Sequence, residues 1–336
     1  MLTPADIETR KTGIGASETA ALLKDSSGKP FNPYDTPFKI FCRKTGVTPE
    51  GQVQNRFIYW GHILEGIVAE VFEGREENQK KYGPFRLNPT PTIRHKDPAY
   101  MMCIATPDRI VLDNNDLPKF LLEIKTAGAS QTSYWGVMGE SDEQRMPDQY
   151  FLQVQYQLEV CDLPSAIVAV LIGGNDYRDH YYIERDREIG QMCREAAQQF
   201  WDNHVVPNNP PPVDSSKDCA GWMQRIKPAP GKEIVKGSPE ILGIFEELSD
   251  ITKSIELLES KKEICRRKIE AEIGVCYGVA CEAGRAVWPI QKGRKKTDWE
   301  AVVAEAGVPR DIVEKHTTTG HETRVLRVTF NDTEGG

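Results

Sequence analysis

The sequence predicts a mixed α/β domain, a Pro-rich linker and a C-terminal extension made of a long helix or hairpin with a small α+β unit. Three observations predict it. Apolar residues recur at helical spacing in the first 72 residues and again after Pro147. From Tyr82 to Lys125, and again from Ala166 to Asp186, the pattern changes to short β-type runs broken by Pro, Asn, Asp and Gly turns. After the segment VVPNNPPPVDSS a single three-and-four apolar repeat runs for more than thirty residues. These shifts divide the chain at 1–206, 207–236 and 237–336.

In chain order, Asp6 to Lys24 reads as a short segment leading into a helix, with Ser17 as its cap and Glu18 to Leu23 as its first turns. Thr36 to Lys44 is a helix stopped by Gly46. Asn55 to Phe72 is another, since Ile58, Ile63, Ile67, Val68, Val71 and Phe72 share one face, with Glu65 near that stripe. Strands follow at Phe85 to Leu87, Thr92 to His95, Met101 to Ala105, Arg109 to Leu112 and Phe120 to Lys125, in the manner of a meander. Pro147 suits the first position of a helix carrying DQYFLQVQYQLEVC. Ala166 to Gly174 is a buried strand, YRDHYYIERD its neighbour, and Asp186 to His204 a helix. Ile241 to Ile273 is a long amphipathic helix or a helical hairpin, paired within or between chains, with Lys262 interrupting its seam. GRAVWPIQ, KKTDWEAVVAEAGVP and ETRVLRVTF suggest two or three strands around a short helix.

Composition narrows the function. With 39% hydrophobic and 27% charged residues the chain has no apolar run near the roughly 18 residues of a membrane span. The opening MLTPADIETRKTG lacks a signal-peptide core, which predicts a mature, cytoplasmic protein. Eight cysteines without a CxxC pair predict free thiols, and six histidines without HxxxH or HExxH argue against a zinc hydrolase. A net charge of -8 does not by itself suggest nucleic acid, since a protein that coats DNA would be basic, but an enzyme with a locally basic groove can be acidic overall. Between Lys261 and Lys296 stand ten Lys/Arg against four Glu, which reads first as a solvated helix face. Lys292, Arg294, Lys295 and Lys296, beside Trp288 and Trp299, have the chemistry to touch a DNA backbone or to make a solvated turn.

The chemistry concentrates in ATPDRIVLDNNDLPKFLLEIKTA, Ala105 to Ala127. Charged side chains within apolar strands are costly unless they pair or hold a cation. Strand alternation puts Glu123 and Lys125 on one face and Phe120, Leu122 and Ile124 on the other. A turn from Asp113 to Pro118 lays the two strands side by side and returns Asp108 toward Glu123. Two hard oxygen donors with open positions suit Mg²⁺, and a core ion pair between Glu123 and Lys125 is the alternative.

Pro107-Asp108, a spacer of 14 residues and Glu123-Ile124-Lys125 resemble the PD-(D/E)xK nuclease signature. The ordered motifs IGASE, NPYDTPFKIFCRKTG, WGHILE, ATPDRIV, LEIKTA and QVQYQL extend the likeness over Arg10 to His204. Together they resemble the phage recombination exonucleases of the lambda-exonuclease or YqaJ type, many of which carry a C-terminal extension of this kind. The resemblance implies a restriction-endonuclease-like core, a central mixed sheet flanked by helices. It implies Asp108, Glu123 and the carbonyl of Ile124 as ligands of Mg²⁺, with Mn²⁺ as a substitute, and Lys125 as the catalytic lysine. Glu65, in Gly61-x-x-x-Glu65, would face the same cation or a second one. Gln153 would orient the water or the lysine, with Gln157 one turn later as second choice and Gln155 left to packing or to solvent. Arg10 and Ser17 would hold a 5′-phosphate. Asp97 matches an acidic position of the family at a spacing longer by one, so it carries over only as a candidate.

The activity so implied is 5′-to-3′ exonuclease action on linear double-stranded DNA, preferably 5′-phosphorylated. It would release 5′-mononucleotides and leave 3′ single-stranded tails. A ring-shaped homotrimer, a single-strand annealing protein as partner, a bacterial host cytoplasm and a phage or prophage origin come with it, and no membrane. The alternatives are an endonuclease on the same core and a catalytically weak DNA-end-binding recruitment protein. The presence of Asp108, Glu123 and Lys125 disfavours the second.

Overall fold

A five-stranded sheet organises the N-terminal part of the chain, and helices cover both its faces. The computed structural model describes residues 4–47, 56–83, 85–89, 91–137, 139–226, 234–291, 293 and 297–318. They belong to two units, Met1–Ile226 and Lys227–Gly336. The first unit begins with α1 (Pro4–Lys11), α2 (Ala16–Leu22), α3 (Pro37–Lys44), α4 (Arg56–Gly74) and α5 (Glu76–Tyr82). Then come β1 (Arg86–Pro89), β2 (Ile93–Arg94), β3 (Ile104–Ala105), β4 (Arg109–Leu112) and β5 (Pro118–Ala127). It closes with α6 (Asp148–Cys161), β6 (Ser165–Ile172), β7 (Asp176–Glu184), α7 (Arg187–Phe200) and α8 (Lys217–Met223).

The sheet order is β1-β4-β5-β6-β7. Only β5 and β6 run parallel, joined through α6, so the sheet is mixed as expected. The predicted meander is corrected in one respect. β2 and β3 leave the sheet and pair with each other, because a 3-10 turn at Pro98–Tyr100 joins two strands only two residues long. β3 is bound on its other side by Ile14, through Ile14 N to Met102 O and Ile104 N to Ile14 O. That approach requires Gly13, where a Cβ would stand 2.5 Å from the Met102 carbonyl.

Alternation along β5 distributes the core. Phe120, Leu122 and Ile124 pack with Val68, Ala69 and Phe72 of α4, while Leu121 packs with Val154 and Leu158 of α6. Each such side chain contributes roughly 1.5–3 kcal/mol on leaving water. A third cluster joins α2, α3, α7 and the far side of α6 through Ala20, Phe38, Phe41, Tyr156 and Phe200. Glu123 and Lys125 share the α6-facing side with Leu121, and so meet that helix.

Caps explain the helix ends, with three departures from expectation. Thr36 caps α3 through Lys39 N at 3.2 Å, and Asp186 caps α7 through Glu188 N and Ile189 N. Pro147 is the N-cap of α6, one place outside the predicted position. Ser17 does not cap α2: the cap is Gly15, and the carboxylate of Glu18 returns to Gly15 N at 2.8 Å. The segment read as a linker, 207–236, contains α8, which Ser216 caps and whose Trp222 meets the Phe38 ring edge-on at 5.8 Å. Residues to Ile226 therefore belong to the first unit.

The second unit holds α9 (Pro239–Ile273), β8 (Gly278–Cys281), β9 (Gly284–Val287), α10 (Trp299–Glu305) and α11 (Arg310–Lys315). α9 is one continuous helix, capped by Ser238 and ended at Gly274 with φ 53°. β8 and β9 form a hairpin. ETRVLRVTF and the cluster Lys292, Arg294, Lys295 and Lys296 lie outside the described residues. Among the described residues no helix is long and apolar enough to cross a membrane.

Candidate active site

The β4–β5 ladder builds the centre of the site. Arg109 pairs with Leu122 and Ile110 with Leu121, so Asp108 stands one step beyond the ladder, across from Glu123. Asp108 Oδ2 accepts the Ile124 N–H at 2.7 Å, which locks the carboxylate against the neighbouring strand. Glu123 is 2% exposed and accepts three donors. Lys125 Nζ and Gln153 Nε2 both reach Oε1 at 2.5 Å, and Gln157 Nε2 reaches Oε2 at 2.9 Å. Gln153 and Gln157 are one turn apart on α6, so one helix face grips both carboxylate oxygens.

The expected residues separate into two groups and an outlier. Asp108, Glu123, Ile124, Lys125, Gln153 and Gln157 come together. Glu65 lies at their edge, where Arg109 Nη1 binds it at 2.8 Å and His62 Nδ1 stands 3.9 Å away. Arg10 and Ser17 form the second group, around Glu18. Lys44 Nζ donates to the Arg10 carbonyl at 2.8 Å, and Ser17 is on the exposed side of α2. Tyr156 of α6 donates to Ile14 O at 2.8 Å, so the helix that grips Glu123 also anchors this group. Asp97 is the outlier: exposed, it caps the Pro98–Tyr100 turn through Ala99 N at 2.9 Å and is not among the groups around Asp108. Gln155 ties Glu184 O and Asp186 N at 2.8 Å each and is buried, so of its two expected roles it has packing and not solvent.

Three residues were missed. Arg109, next to the PD pair, holds Glu65. Tyr150 puts its ring centroid 5.1 Å from Lys125 Nζ, and its place three residues before Gln153 on α6 was the available signal. Glu18, inside IGASE, is buried between Arg43 at 3.0 Å and Lys44 at 2.9 Å. Tyr150 also walls a cleft of about 710 Å³ whose lining includes Lys29, Tyr34, Tyr134 and Arg145.

The electrostatics are unbalanced at the centre. Burial, then the carboxylate of Glu123, pushes Asp108 well above the usual carboxylate range; Lys125 pulls it down, Glu65 adds to the rise, and the Ile124 N–H opposes it. Burial works against the charge of Lys125, yet Glu123 and Asp108 outweigh it and hold its pKa above the ordinary lysine value. Lys125 is therefore an ammonium at neutral pH.

Among the described residues no three His, Cys, Asp or Glu side chains converge as a ready-made metal cage. The donors nevertheless fit a hard divalent cation: two carboxylates repel across adjacent strands, with neither thiolate nor imidazole between them. The buried Gln157 Oε1 beside them has no hydrogen-bond partner, an acceptor open to a hydrated ion.

Fold and site together define a mixed α/β protein with the PD…ExK acidic centre on neighbouring strands. Residues 7–164 match the family model of the YqaJ-like viral recombinase domain. The protein named Uncharacterized protein YqaJ of Bacillus subtilis (strain 168) is 32% identical over 224 residues, 65% of this chain and 61% of its own. The chain thus spans about three-fifths of that relative's length. Two solved structures share the likeness more distantly. The alkaline exonuclease LHK-Exo of Laribacter hongkongensis is 17% identical, with 60% of this chain and 92% of that one covered at TM-score 0.42. A phage related exonuclease from Haemophilus somnus 129PT is 14% identical, with 58% and 96% covered at TM-score 0.39.

Proposed function

We propose that the first unit is a Mg²⁺-dependent 5′-to-3′ exonuclease on linear double-stranded DNA. It releases 5′-mononucleotides and leaves 3′ single-stranded tails for strand annealing. The observation that carries the reading is the gathering of Asp108, Glu123, Lys125, Gln153 and Gln157 at one point of a YqaJ-like domain. Asp108, Glu123 and the Ile124 carbonyl would hold the cation, Mg²⁺ or Mn²⁺, with Glu65 beside them. When bound, the cation supplies Lewis acidity at the phosphoryl group and a hydroxide at neutral pH.

The chain's own residues do the rest. Gln153 and Gln157 fix the Glu123 carboxylate in a single orientation. In the metal-free protein Glu123 and Asp108 hold the pKa of Lys125 above the ordinary lysine value, and its ammonium supplies a positive charge beside the acidic centre for developing negative charge on the phosphate. Arg10 and Ser17 hold the 5′-phosphate; Glu18 keeps the Arg10 segment in place through Lys44, which bonds both. The cleft beside Tyr150 is lined by the rings of Tyr34, Tyr134 and Trp135, with Lys29 and Arg145 beside Asp25 and Asp148, and its aromatic surface suits stacking of a single strand. Double-stranded ends, a homotrimer threaded by DNA and a single-strand annealing partner belong to the same reading.

The test offers Mg²⁺ with three substrates: linear 5′-phosphorylated duplex, the same duplex dephosphorylated, and closed circular DNA. Fast digestion of the first, slower digestion of the second and none of the third is expected. Lys125→Ala should lose about 10²–10³-fold or more in rate. Arg10→Ala should lose the preference for a 5′-phosphate while still digesting DNA. Cutting of the closed circle would overturn the exonuclease reading, and an unaffected Lys125→Ala would overturn the site.

A further inference from the structure

α9 has an apolar seam that the other described elements of its own unit leave exposed. Written as heptads, Ile241, Leu248, Ile255, Lys262 and Ile269 take the a positions. Ile244, Ile251, Leu258 and Cys265 take the d positions. The apolar members, leaving aside Cys265, are between 39% and 63% exposed. A 35-residue helix runs roughly 52 Å, and helices this long hold their shape chiefly through the partner that buries their apolar face.

Charge selects the partner and its direction. Glu240 to Glu256 carries five carboxylates and one lysine, whereas Lys261 to Lys268 carries five cations and one carboxylate. Two copies side by side in parallel would set acid against acid and base against base, with Lys262 on Lys262 in the core and Lys261 against Arg266 at its flank. Reversing one copy sets the acidic half against the basic half. In the register that overlaps Glu240–Ile273 end to end, four a positions face apolar or cysteine d positions of the second copy: Ile255 meets Leu258, Leu248 meets Cys265, Ile269 meets Ile244 and Lys262 meets Ile251, while Ile241 meets Glu272 at the end of the seam. The same register puts Glu247 beside Lys268 at the flank. Lys262 then faces Ile251, where its stem packs and its ammonium reaches water.

We propose that α9 is an antiparallel, two-fold pairing surface for a second copy of this chain. Covering the seam on both helices removes on the order of 1,200 Å² from water, at the lower bound of stable interfaces. The contact is isologous, so each one closes at two helices. It holds whether or not the first unit is a nuclease.

Cysteine cross-linking of the full-length chain tests it. The parent carries Cys276→Ser and Cys281→Ser, leaving Cys265 as the one exposed thiol among the described residues. Mild oxidation should leave this parent uncross-linked, because an antiparallel pair holds its two Cys265 residues far apart. Adding Leu248→Cys should give a covalent dimer in high yield. Residues 248 and 265 of a single helix lie ~25 Å apart, beyond the reach of a disulfide, so the bond must join two copies. In a separate variant, Ile255→Lys should lower the mass seen by light scattering to that of the assembly the first unit makes by itself. A Cys265–Cys265 dimer in the parent would overturn the antiparallel direction. No cross-link in Leu248→Cys together with an unchanged mass in Ile255→Lys would overturn self-pairing and leave the seam to another protein or to the first unit.

Discussion

Glu18 and Asp108 are both carboxylates drawn into the first unit, and the protein treats them in opposite ways. Glu18 is 2% exposed, bonded by Arg43, Lys44 and the Gly15 N–H. Burial opposes its charge, but Lys44, Arg43, Arg10 and Gly15 together hold its pKa down at about 2. Asp108 has one N–H and a share of one lysine, set against two further carboxylates, and its pKa is driven up. A carboxylate with more cations than it needs is a structural clamp. One with more carboxylates than cations around it is poised to take a cation from outside. The difference lies in the ratio of neighbours, because burial is common to both.

The largest expected effect comes from breaking the satisfied side. Glu18→Gln leaves Lys44, whose side chain is 0% exposed, without its carboxylate, while Arg43 keeps Asp35. Removing one partner of such a buried pair costs about 3–5 kcal/mol, which urea denaturation would read. The pH dependence has a definite sign. Between the ordinary value of 4.5 and about 2, the unfolded chain binds the proton that folded Glu18 refuses, so stability rises with pH across that window. The contribution is complete above 4.5 and lost toward 2, and Glu18→Gln should lack this limb. A loss below about 1 kcal/mol would mean the clamp is dispensable.

This contrast was only half legible in the sequence. Strand alternation and the 14-residue spacer were enough to bring Asp108, Glu123 and Lys125 together, since both follow from the period of a strand and the length of a hairpin. The QVQYQL spacing likewise put Gln153 and Gln157 on one helix face. Glu18 was read only as part of a first helical turn, because its partners Arg43 and Lys44 are 25 and 26 residues away and no local period links them. Ser17 looked like the cap by residue type, whereas backbone approach at Gly13 moved the cap to Gly15. α8 was hidden by Pro210 to Pro212 just before it; it is a helix that needs Phe38 to pack on. Glu65 came from the resemblance to the family's Gly-x-x-x-Glu helix, but its pairing with Arg109 depends on side-chain directions that a motif does not determine.

A smaller effect of opposite sign should come from relieving the frustrated side. In metal-free protein, folded Asp108 keeps a proton at pH values where the unfolded residue has lost it, so stability falls as pH rises from 3.8 through the raised value. Asp108→Asn removes that penalty while its amide oxygen can still accept the Ile124 N–H. The variant should therefore melt ~2–4 °C higher than wild type at neutral pH without divalent cations. Addition of Mg²⁺ should raise the melting temperature of wild type and leave the variant unmoved. A variant less stable than wild type without metal would mean that Asp108 is structural, like Glu18.

Asp97 supplies the third point of the comparison, a carboxylate with neither clamp nor frustration. It is exposed, and its one described duty is to cap a three-residue turn through Ala99 N. Water solvates it in both folded and unfolded states, so Asp97→Ala should lower the melting temperature by no more than about 2 °C through the lost cap. It should leave the DNA-digestion rate and the Mg²⁺ dependence within about twofold of wild type, since no group of the acidic centre depends on it. The same measurements applied to Asp97→Asn, which keeps a capping oxygen, should show no change at all. A tenfold loss of rate in both variants, with melting unchanged, would move Asp97 from the turn into the acidic centre and match the family position it was compared with. Loss in Asp97→Ala alone would instead show that the 3-10 turn, through β3 and its bond to Ile14, sets the position of Asp108.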